Sequence, residues 1–161
     1  MPNSLEIQAG HLLRERGLKL VLAESCTGGL LGSRITDVPG SSEYFLGGVV
    51  AYAYEAKADL LGVSWDTLNT RGAVSRETVL EMARGIRNLM KADIAISVSG
   101  IAGPGGGTPE KPVGTTWIGL TAEDGEWAET YQFSADREGN KSLAVDAALT
   151  LLLHYLQGKQ T

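Results

Sequence analysis

The sequence has few of the residues that many metal and catalytic sites require. It contains a single cysteine, Cys26, which excludes an internal disulfide and any metal site built from several cysteines. Its two histidines, His11 and His154, lie in segments with helical patterns near opposite ends of the chain. A serine–histidine–aspartate triad is therefore poorly supported, and a surface or helix-packing position is the simpler interpretation for each histidine.

Positive charge is in short supply as well. The chain has 14 lysines and arginines against 19 aspartates and glutamates, which gives a formal net charge of −5 at pH 7. A field of that sign repels phosphate backbones, and the basic residues are scattered along the sequence. A nucleic-acid partner is therefore disfavoured.

Long apolar runs are missing too. None approaches the ~20 residues that a membrane-spanning helix needs. Charges interrupt the apolar pattern of the N-terminal segment, which is unlike a secretory signal. We therefore expect a cytoplasmic protein that has no membrane partner.

What the chain does contain is the composition of an ordinary globular protein. Its 161 residues are enough to bury a hydrophobic core, and 43% of them are hydrophobic while 20% are charged. No internal repeat and no long linker divides the sequence. We therefore expect a single domain over residues 1–161.

Strand and helix patterns alternate along most of the chain. Strand patterns cover residues 18–23, 44–53 and 93–100, and a hairpin pattern covers 115–122 and 126–133. Helical patterns cover a segment that ends before Gly17, residues 27–36 and 54–61, a segment that begins after Ser75, and a final leucine stripe that ends near Leu156. This order predicts a three-layer α/β/α sandwich with a mixed, mostly parallel sheet of about five strands.

Polar or glycine-rich segments follow three of the predicted strands. They run from Glu24 to Gly29, from Tyr52 to Lys57 and from Ser99 to Gly114. Because ligands bind beyond the carboxyl ends of the strands in open α/β sheets, we expect the three segments to converge on one site.

The glycines do not form a known nucleotide-binding motif. No Gly-Lys-Ser or Gly-Lys-Thr sequence is present, which excludes a Walker loop, and the glycines near residues 29 and 103 lack the spacing of a dinucleotide fingerprint. A simpler interpretation remains for the first segment. The backbone amides from Thr27 to Leu30, at the start of a predicted helix, are placed to hold a phosphate or an oxyanion.

Ser25 and Cys26 are the candidate nucleophiles of the first segment. A serine without a histidine partner can be activated by a lysine whose pKa burial has lowered, and Lys57 in the second segment is the candidate. The hydroxyl of Tyr52 would then orient or relay the proton. The alternative is a solvated lysine on a helix surface and an ordinary strand tyrosine.

Cys26 also has two interpretations. A helix N-terminus would lower the pKa of its thiol and favour a reactive cysteine. A lone cysteine is more often a small buried apolar residue. Because neighbouring side chains point in different directions, only one of Ser25 and Cys26 can face a given substrate atom.

Five segments together resemble the CinA C-terminal domain family. They are AESCTGG, AYAYEAK, GAVSRETV, VSGIAGPGGGTPEKPVGT and FSADR, and they occur in the order and approximate spacing of that family from about Glu6 to Leu156. The chain resembles in particular the stand-alone members that act as nicotinamide-nucleotide amidases, which hydrolyse nicotinamide mononucleotide to nicotinate mononucleotide and ammonia. The resemblance implies a three-layer α/β/α fold and a small nucleotide substrate. Because the sequence contains no cluster of metal ligands, we expect hydrolysis without a metal or other cofactor.

The resemblance also implies roles for individual residues. Ser25 would be the nucleophile, with Tyr52 and Lys57 as the other catalytic residues. Together with the glycine-rich segments, it indicates a substrate-binding set of Cys26, Thr27, Gly28, Gly29, Ser99, Gly100, Gly103, Thr115, Arg137 and Lys141.

The sequence departs from the family pattern at a few positions. Ala53 and Tyr54 stand where the family has small polar residues, Ala135 stands where it has glycine, and Lys141 stands where it has arginine. An alternative function follows from these departures, namely a catalytically inactive nucleotide-binding or regulatory module of the competence-associated type. We also expect a homo-oligomer, because the final helix is rich in leucine and a sheet of this kind has exposed edges.

Overall fold

Five strands form one sheet in the computed structural model, which describes residues 4–159; the ends of the expected domain, 1–3 and 160–161, lie outside the described residues. The strands are β1 (Leu20–Glu24), β2 (Phe45–Val50), β3 (Ile94–Gly100), β4 (Thr115–Ala122) and β5 (Gly125–Gln132), in the order β2-β1-β3-β4-β5. Strand β1 pairs in parallel with β2 and β3, whereas β4 joins β3 and β5 antiparallel. The expected mixed sheet is confirmed, and its parallel pairing lies in the β2-β1-β3 half.

The helices of residues 4–159 cover both faces of this sheet. They are α1 (Leu5–Arg16), α2 (Leu30–Thr36), α3 (Tyr54–Leu61), α4 (Trp65–Arg71), α5 (Arg76–Met90) and α6 (Arg137–Leu156), and a 3₁₀ turn covers Ser41–Glu43. Helices α1, α2 and α6 pack on one face, and α3, α4 and α5 pack on the other. None of these described helices is long and apolar enough to cross a membrane.

The burial of β1 explains its continuous apolar sequence. Leu20 and Leu22 join the core on the α1–α2–α6 face, while Val21 and Ala23 join the core on the α3–α4–α5 face. A parallel strand that is covered on both faces has no solvent side on which to alternate polar residues. The three-layer arrangement predicted from the sequence is therefore confirmed.

Helix α5 forms as its sequence pattern predicts. Ser75 is the N-cap, and its hydroxyl oxygen accepts from the Thr78 amide at 3.1 Å. One face of the helix, with Val79, Met82 and Ile86, is buried against the sheet.

Two boundaries differ from the sequence expectations by three residues, and one helix was not predicted. Helix α2 begins at Leu30 instead of Thr27, because Gly28 (φ 58°) and Gly29 (φ 106°) adopt left-handed conformations in a preceding turn. Strand β2 ends at Val50, so residues 51–53 form the connection to α3. Helix α4 has no counterpart among the predicted helices, since Leu68 is its one buried residue and gives no apolar periodicity.

Candidate active site

The three segments that follow β1, β2 and β3 converge on a cavity of about 250 Å³. Ser25 and Cys26 follow β1, Tyr52 and Lys57 follow β2, and the glycine-rich loop follows β3. Ser99, Gly100, Ile101, Ala102, Gly103, Gly105, Gly106, Ala73, Val74 and Arg137 complete the wall. The cavity therefore lies at the carboxyl ends of the parallel strands, where a ligand site is expected in this class of fold.

Lys57 reaches Ser25 inside this cavity. Its Nζ lies 2.9 Å from Ser25 Oγ, and also 2.9 Å from each of the carbonyl oxygens of Ala51 and Tyr52. A neutral amine has two N–H donors and one lone pair. The three contacts satisfy the three N–H groups of the ammonium. When the amine is neutral, the two carbonyls accept its two N–H groups and its lone pair faces the Ser25 hydroxyl, so the same geometry lets a neutral lysine accept the serine proton.

The surroundings of Lys57 favour its neutral form. The side chain is fully buried, and none of the ion pairs in residues 4–159 includes it. Burial lowers the pKa of Lys57 from 10.5 to about 8, because the charged ammonium loses its hydration. A lysine with this pKa is neutral in a substantial fraction of molecules near pH 8, as a general base requires.

Cys26 lies beside Ser25 but has the opposite character. Burial raises the pKa of its thiol to about 11, so the thiol stays protonated near neutral pH. The expected lowering of this pKa by a helix N-terminus is not found. Helix α2 begins four residues later, at Leu30, and a carboxylate already neutralises its N-terminal end.

That carboxylate belongs to Glu24, which is buried at the end of β1. It accepts from the Thr27 hydroxyl at 2.6 Å and from the amides of Gly29, Leu31 and Gly32 at 2.9–3.2 Å. Of the amides predicted to bind a substrate anion, that of Gly29 donates to Glu24, and those of Gly28 and Leu30 donate to the Ser25 and Thr27 carbonyls. Anion binding by this turn stays a prediction that competes with an internal carboxylate.

Three predicted substrate-binding residues lie in this capped turn. Thr27, Gly28 and Gly29 are not among the described residues that line the cavity. Their turn instead fixes the chain direction after Ser25, and the Gly28 amide donates to the Ser25 carbonyl at 3.1 Å. Sequence reasoning missed the structural role of Glu24, although the carboxylate followed by two glycines is the signal that could have revealed it.

Tyr52 contacts Lys57 through its main chain and not through its ring. Its carbonyl accepts from Lys57, while its hydroxyl accepts from Arg137 Nη2 at 3.2 Å. The tyrosine side chain is 60% exposed at the rim of the cavity. Tyr52 lines the cavity, but no hydrogen bond joins its hydroxyl to Ser25 or Lys57 within residues 4–159, so its part in proton transfer stays a prediction.

The first turn of α6 holds the glycine-rich wall in place. Arg137 Nη1 donates to the Gly103 carbonyl at 2.6 Å, and Asn140 Nδ2 donates to the Ala102 carbonyl at 3.0 Å. The Asn140 Oδ1 also accepts from the Ala135 amide at 3.0 Å. Asn140 is buried and was missed from the sequence, where an amide within the apolar pattern of a helix was its only signal.

Two further predicted residues lie away from the cavity. The Thr115 hydroxyl contacts the Pro112 carbonyl at 2.7 Å and Gln132 Oε1 at 2.8 Å, so it supports the loop from behind. Lys141 is half-buried on α6 and is not among the described residues that line the cavity. Neither residue contacts the space next to Ser25.

The residues that depart from the family pattern are not among the described residues that line the cavity. The Tyr54 ring packs against Trp65, with ring centroids 6.3 Å apart, and Tyr54 is not one of the lining residues. Ala135 adopts an ordinary backbone conformation, because Lys91 is the one described residue other than glycine with a positive φ. A glycine is therefore not required at position 135 by the backbone.

Comparisons with known proteins identify the family of the chain. Residues 2–156 match the family model of the CinA C-terminal domain. The chain belongs to the CinA C-terminal domain family. A "Putative competence-damage inducible protein" of Halothermothrix orenii is 54% identical over 156 residues, and a "CinA-like protein" of Thermotoga maritima is 50% identical over 150 residues.

The chain covers nearly the full length of the solved structures but little more than a third of the length of these two relatives. The match to the Halothermothrix orenii protein covers 96% of this CinA-family chain and 38% of that relative. The match to the Thermotoga maritima protein covers 93% of the chain and 36% of that relative. The competence damage-inducible protein A of Klebsiella pneumoniae has a TM-score of 0.93 and 38% identity, with 97% of each chain covered. A competence/damage inducible protein of Agrobacterium tumefaciens has a TM-score of 0.90 and 39% identity, with 98% of each chain covered.

Proposed function

We propose that this CinA-family chain hydrolyses the carboxamide of nicotinamide mononucleotide to give nicotinate mononucleotide and ammonia. The observation that carries the proposal is the 2.9 Å contact between Lys57 Nζ and Ser25 Oγ in a buried cavity. A buried lysine without a carboxylate partner is costly to keep, and a role as a base for the adjacent serine accounts for its position.

In the first step, Ser25 Oγ attacks the carbonyl carbon of the carboxamide. The neutral Lys57 amine takes the hydroxyl proton and becomes an ammonium, and the carbonyl π electrons move to the oxygen. Lys57 is held by the Ala51 and Tyr52 carbonyls throughout, so the proton transfer needs no movement of the side chain.

The oxyanion formed in this step needs hydrogen-bond donors close to Ser25. The amides of Gly28 and Leu30 donate to the Ser25 and Thr27 carbonyls, and those of Gly29 and Leu31 donate to Glu24. These amides are therefore engaged elsewhere. The amide of Cys26, the residue directly after the nucleophile, is the candidate donor, and one such donor commonly lowers the barrier by about 3 kcal/mol.

Collapse of the tetrahedral intermediate breaks the carbon–nitrogen bond. The Lys57 ammonium returns its proton to the departing nitrogen, which leaves as ammonia, and a nicotinoyl ester remains on Ser25. Water then attacks the ester carbonyl while Lys57 takes a proton from it. The bond between the carbonyl carbon and Ser25 Oγ breaks, and the Lys57 ammonium returns that proton to Ser25 Oγ. The neutral lysine and the serine hydroxyl are thereby restored, and the carboxylic acid product loses its own proton to solvent as nicotinate mononucleotide.

The wall opposite Lys57 supports a nucleotide ligand. At Gly105 a Cβ atom would meet nothing within 4 Å, so the main chain there is open to a ribose. At Gly100 and Gly103 a Cβ would instead collide with Thr116 and Val113, so these glycines let the wall pack closely on the residues behind it. Ser99 is buried at the base of the same wall and adds a hydroxyl. A small carboxamide with an attached sugar fits this lining better than a large apolar ligand.

The test is ammonia release from nicotinamide mononucleotide. We expect Ser25→Ala to lower kcat by about 10³-fold or more, and Cys26→Ala, the matched control at the adjacent position, to keep most of the activity. Loss of activity in Cys26→Ala with retention in Ser25→Ala would contradict the assignment of the nucleophile.

A second measurement separates the enzyme from a catalytically inactive binding module. Stabilisation of the wild-type chain against heat by nicotinamide mononucleotide, without ammonia release, would favour the inactive module. Ammonia release that depends on Ser25 supports the amidase.

A further inference from the structure

A second cleft adjoins the Ser25 cavity on the same face of the sheet. We call it the Trp117 cleft; it has a volume of about 440 Å³ and is lined by Trp117, Val74, Arg71, Arg76 and Lys111, among others. Val74 lines both the Trp117 cleft and the Ser25 cavity, so the two spaces are neighbours across one side chain.

The sheet register fixes the distance between the two spaces. Ser99 on β3 is the direct partner of Trp117 on β4, and the Ser25 amide donates to the β3 carbonyl of Val98 at 2.9 Å. Ser25, Ser99 and Trp117 therefore stand side by side at the ends of three neighbouring strands, on the α3–α4–α5 face. Two strand spacings separate the first from the last, which is roughly 10 Å.

The residues that line the Trp117 cleft carry a positive balance of charge. Arg71, Arg76 and Lys111 contribute three positive charges and Glu77 one negative charge, in a chain whose formal net charge is −5. The closest approach of Arg71 to Glu77 is 4.0 Å, which is too long for a hydrogen bond. Within residues 4–159 no hydrogen bond of the Arg71 guanidinium is found, and its planar fork matches the oxygens of a phosphate. Lys111 Nζ donates one N–H to the Arg71 carbonyl, which leaves two of the three N–H groups of its ammonium for an anion.

We propose that the Trp117 cleft binds the phosphate of the nucleotide whose carboxamide lies at Ser25, an assignment that rests on the proposed amidase function. The pyridine ring occupies the Ser25 cavity, the ribose passes Val74, and the phosphate lies among Arg71, Arg76 and Lys111. Arg137, the basic residue on the other side of the Ser25 cavity, already donates to the Gly103 carbonyl and the Tyr52 hydroxyl.

The test compares a ligand that has the phosphate with one that lacks it. Dissociation constants of nicotinamide mononucleotide and nicotinamide riboside are measured by calorimetry on Ser25→Ala protein, which prevents turnover. Adding Arg76→Gln and Lys111→Gln should weaken the mononucleotide about tenfold or more and leave the riboside within twofold. Arg84→Gln, an exposed arginine of α5 that pairs with Glu126, is the matched control and should change neither.

Arg137→Gln decides between the two basic regions. A selective loss of mononucleotide affinity in Arg137→Gln, with none in the Arg76 and Lys111 variants, would overturn the proposal. A selective loss in the Arg76 and Lys111 variants alone supports it.

A pyrophosphate titration keeps the cleft testable if the amidase proposal fails. If neither pyridine compound binds, the proposed function is wrong and the nucleotide assignment falls with it. Quenching of tryptophan fluorescence by low millimolar pyrophosphate would still support an anion site in the Trp117 cleft. The quenching should disappear in Trp117→Phe and in the Arg76 and Lys111 variants. It should remain in Trp127→Phe. No quenching in the wild-type chain would overturn the anion site as well.

Discussion

Replacement of Lys57 by methionine should change how the stability of the protein depends on pH. The pKa of Lys57 is about 8 in the folded chain and 10.5 when the lysine is exposed, as in the unfolded chain. Between these values the unfolded chain binds one more proton than the folded chain does. The free energy of unfolding of the wild type must therefore rise with pH from about 8 to about 10.5, and below pH 8 the full penalty for burying the ammonium is present.

The size of this rise follows from the shift. A difference of about 2.5 pKa units corresponds to about 3 kcal/mol, at about 1.4 kcal/mol per unit. Lys57→Met removes the titration but also leaves the Ala51 and Tyr52 carbonyls without their donor, which adds a cost that is independent of pH. Only the pH dependence of the difference between the two proteins is therefore diagnostic.

The assay is urea unfolding of both proteins at intervals from pH 7 to pH 10.5. Tyrosines and other groups titrate in both proteins, so they cancel in the difference. We expect the wild type to gain about 3 kcal/mol relative to Lys57→Met across this range. Two parallel curves would refute the argument, because they would mean that Lys57 titrates alike in the folded and unfolded chains.

Three further predictions concern the base, the capped turn and the glycine-rich wall. First, kcat/KM for nicotinamide mononucleotide should rise with pH through an apparent pKa near 8, as Lys57 loses its proton; a flat profile from pH 6.5 to 9 would count against a lysine base. Second, Glu24→Gln should lower the free energy of unfolding by about 2 kcal/mol in urea titrations, because an amide N–H would then face a backbone N–H of the α2 turn; Glu77→Gln on α5 is the exposed control, and equal effects would contradict the cap. Third, Asn140→Leu should speed hydrogen exchange of the amides in residues 101–106, whereas the exposed control Asn88→Leu should not; unchanged exchange would mean that Asn140 does not hold this wall.

The position of the site could be predicted from the sequence because its residues follow strands directly. Ser25 comes immediately after β1, and Lys57 lies one helical turn into α3, after β2. The carboxyl ends of parallel neighbours meet at one edge of a sheet, so the pattern alone brings these two side chains near each other. Their separation of 2.9 Å depends on the connection from Ala51 to Ala53, whose conformation no periodicity determines.

The roles of other residues depend on features that the sequence pattern does not contain. Glu24 can reach the amides of α2 only because two successive glycines adopt left-handed conformations. Asn140 contacts the Ala102 carbonyl across 38 positions of sequence, so its partner is set by how α6 packs. Trp117 stands beside Ser99 because of the register of β3 with β4, which is fixed by the whole sheet.

The most direct test of the central claim is to identify the residue that carries the acyl group. The protein is mixed with nicotinamide mononucleotide, quenched in acid within a turnover and digested, and the peptide that contains residues 25 and 26 is sequenced by mass spectrometry. We predict an ester on Ser25 whose mass corresponds to the substrate less ammonia, and no such ester in Lys57→Met. The same acyl group found on Cys26 would contradict the account.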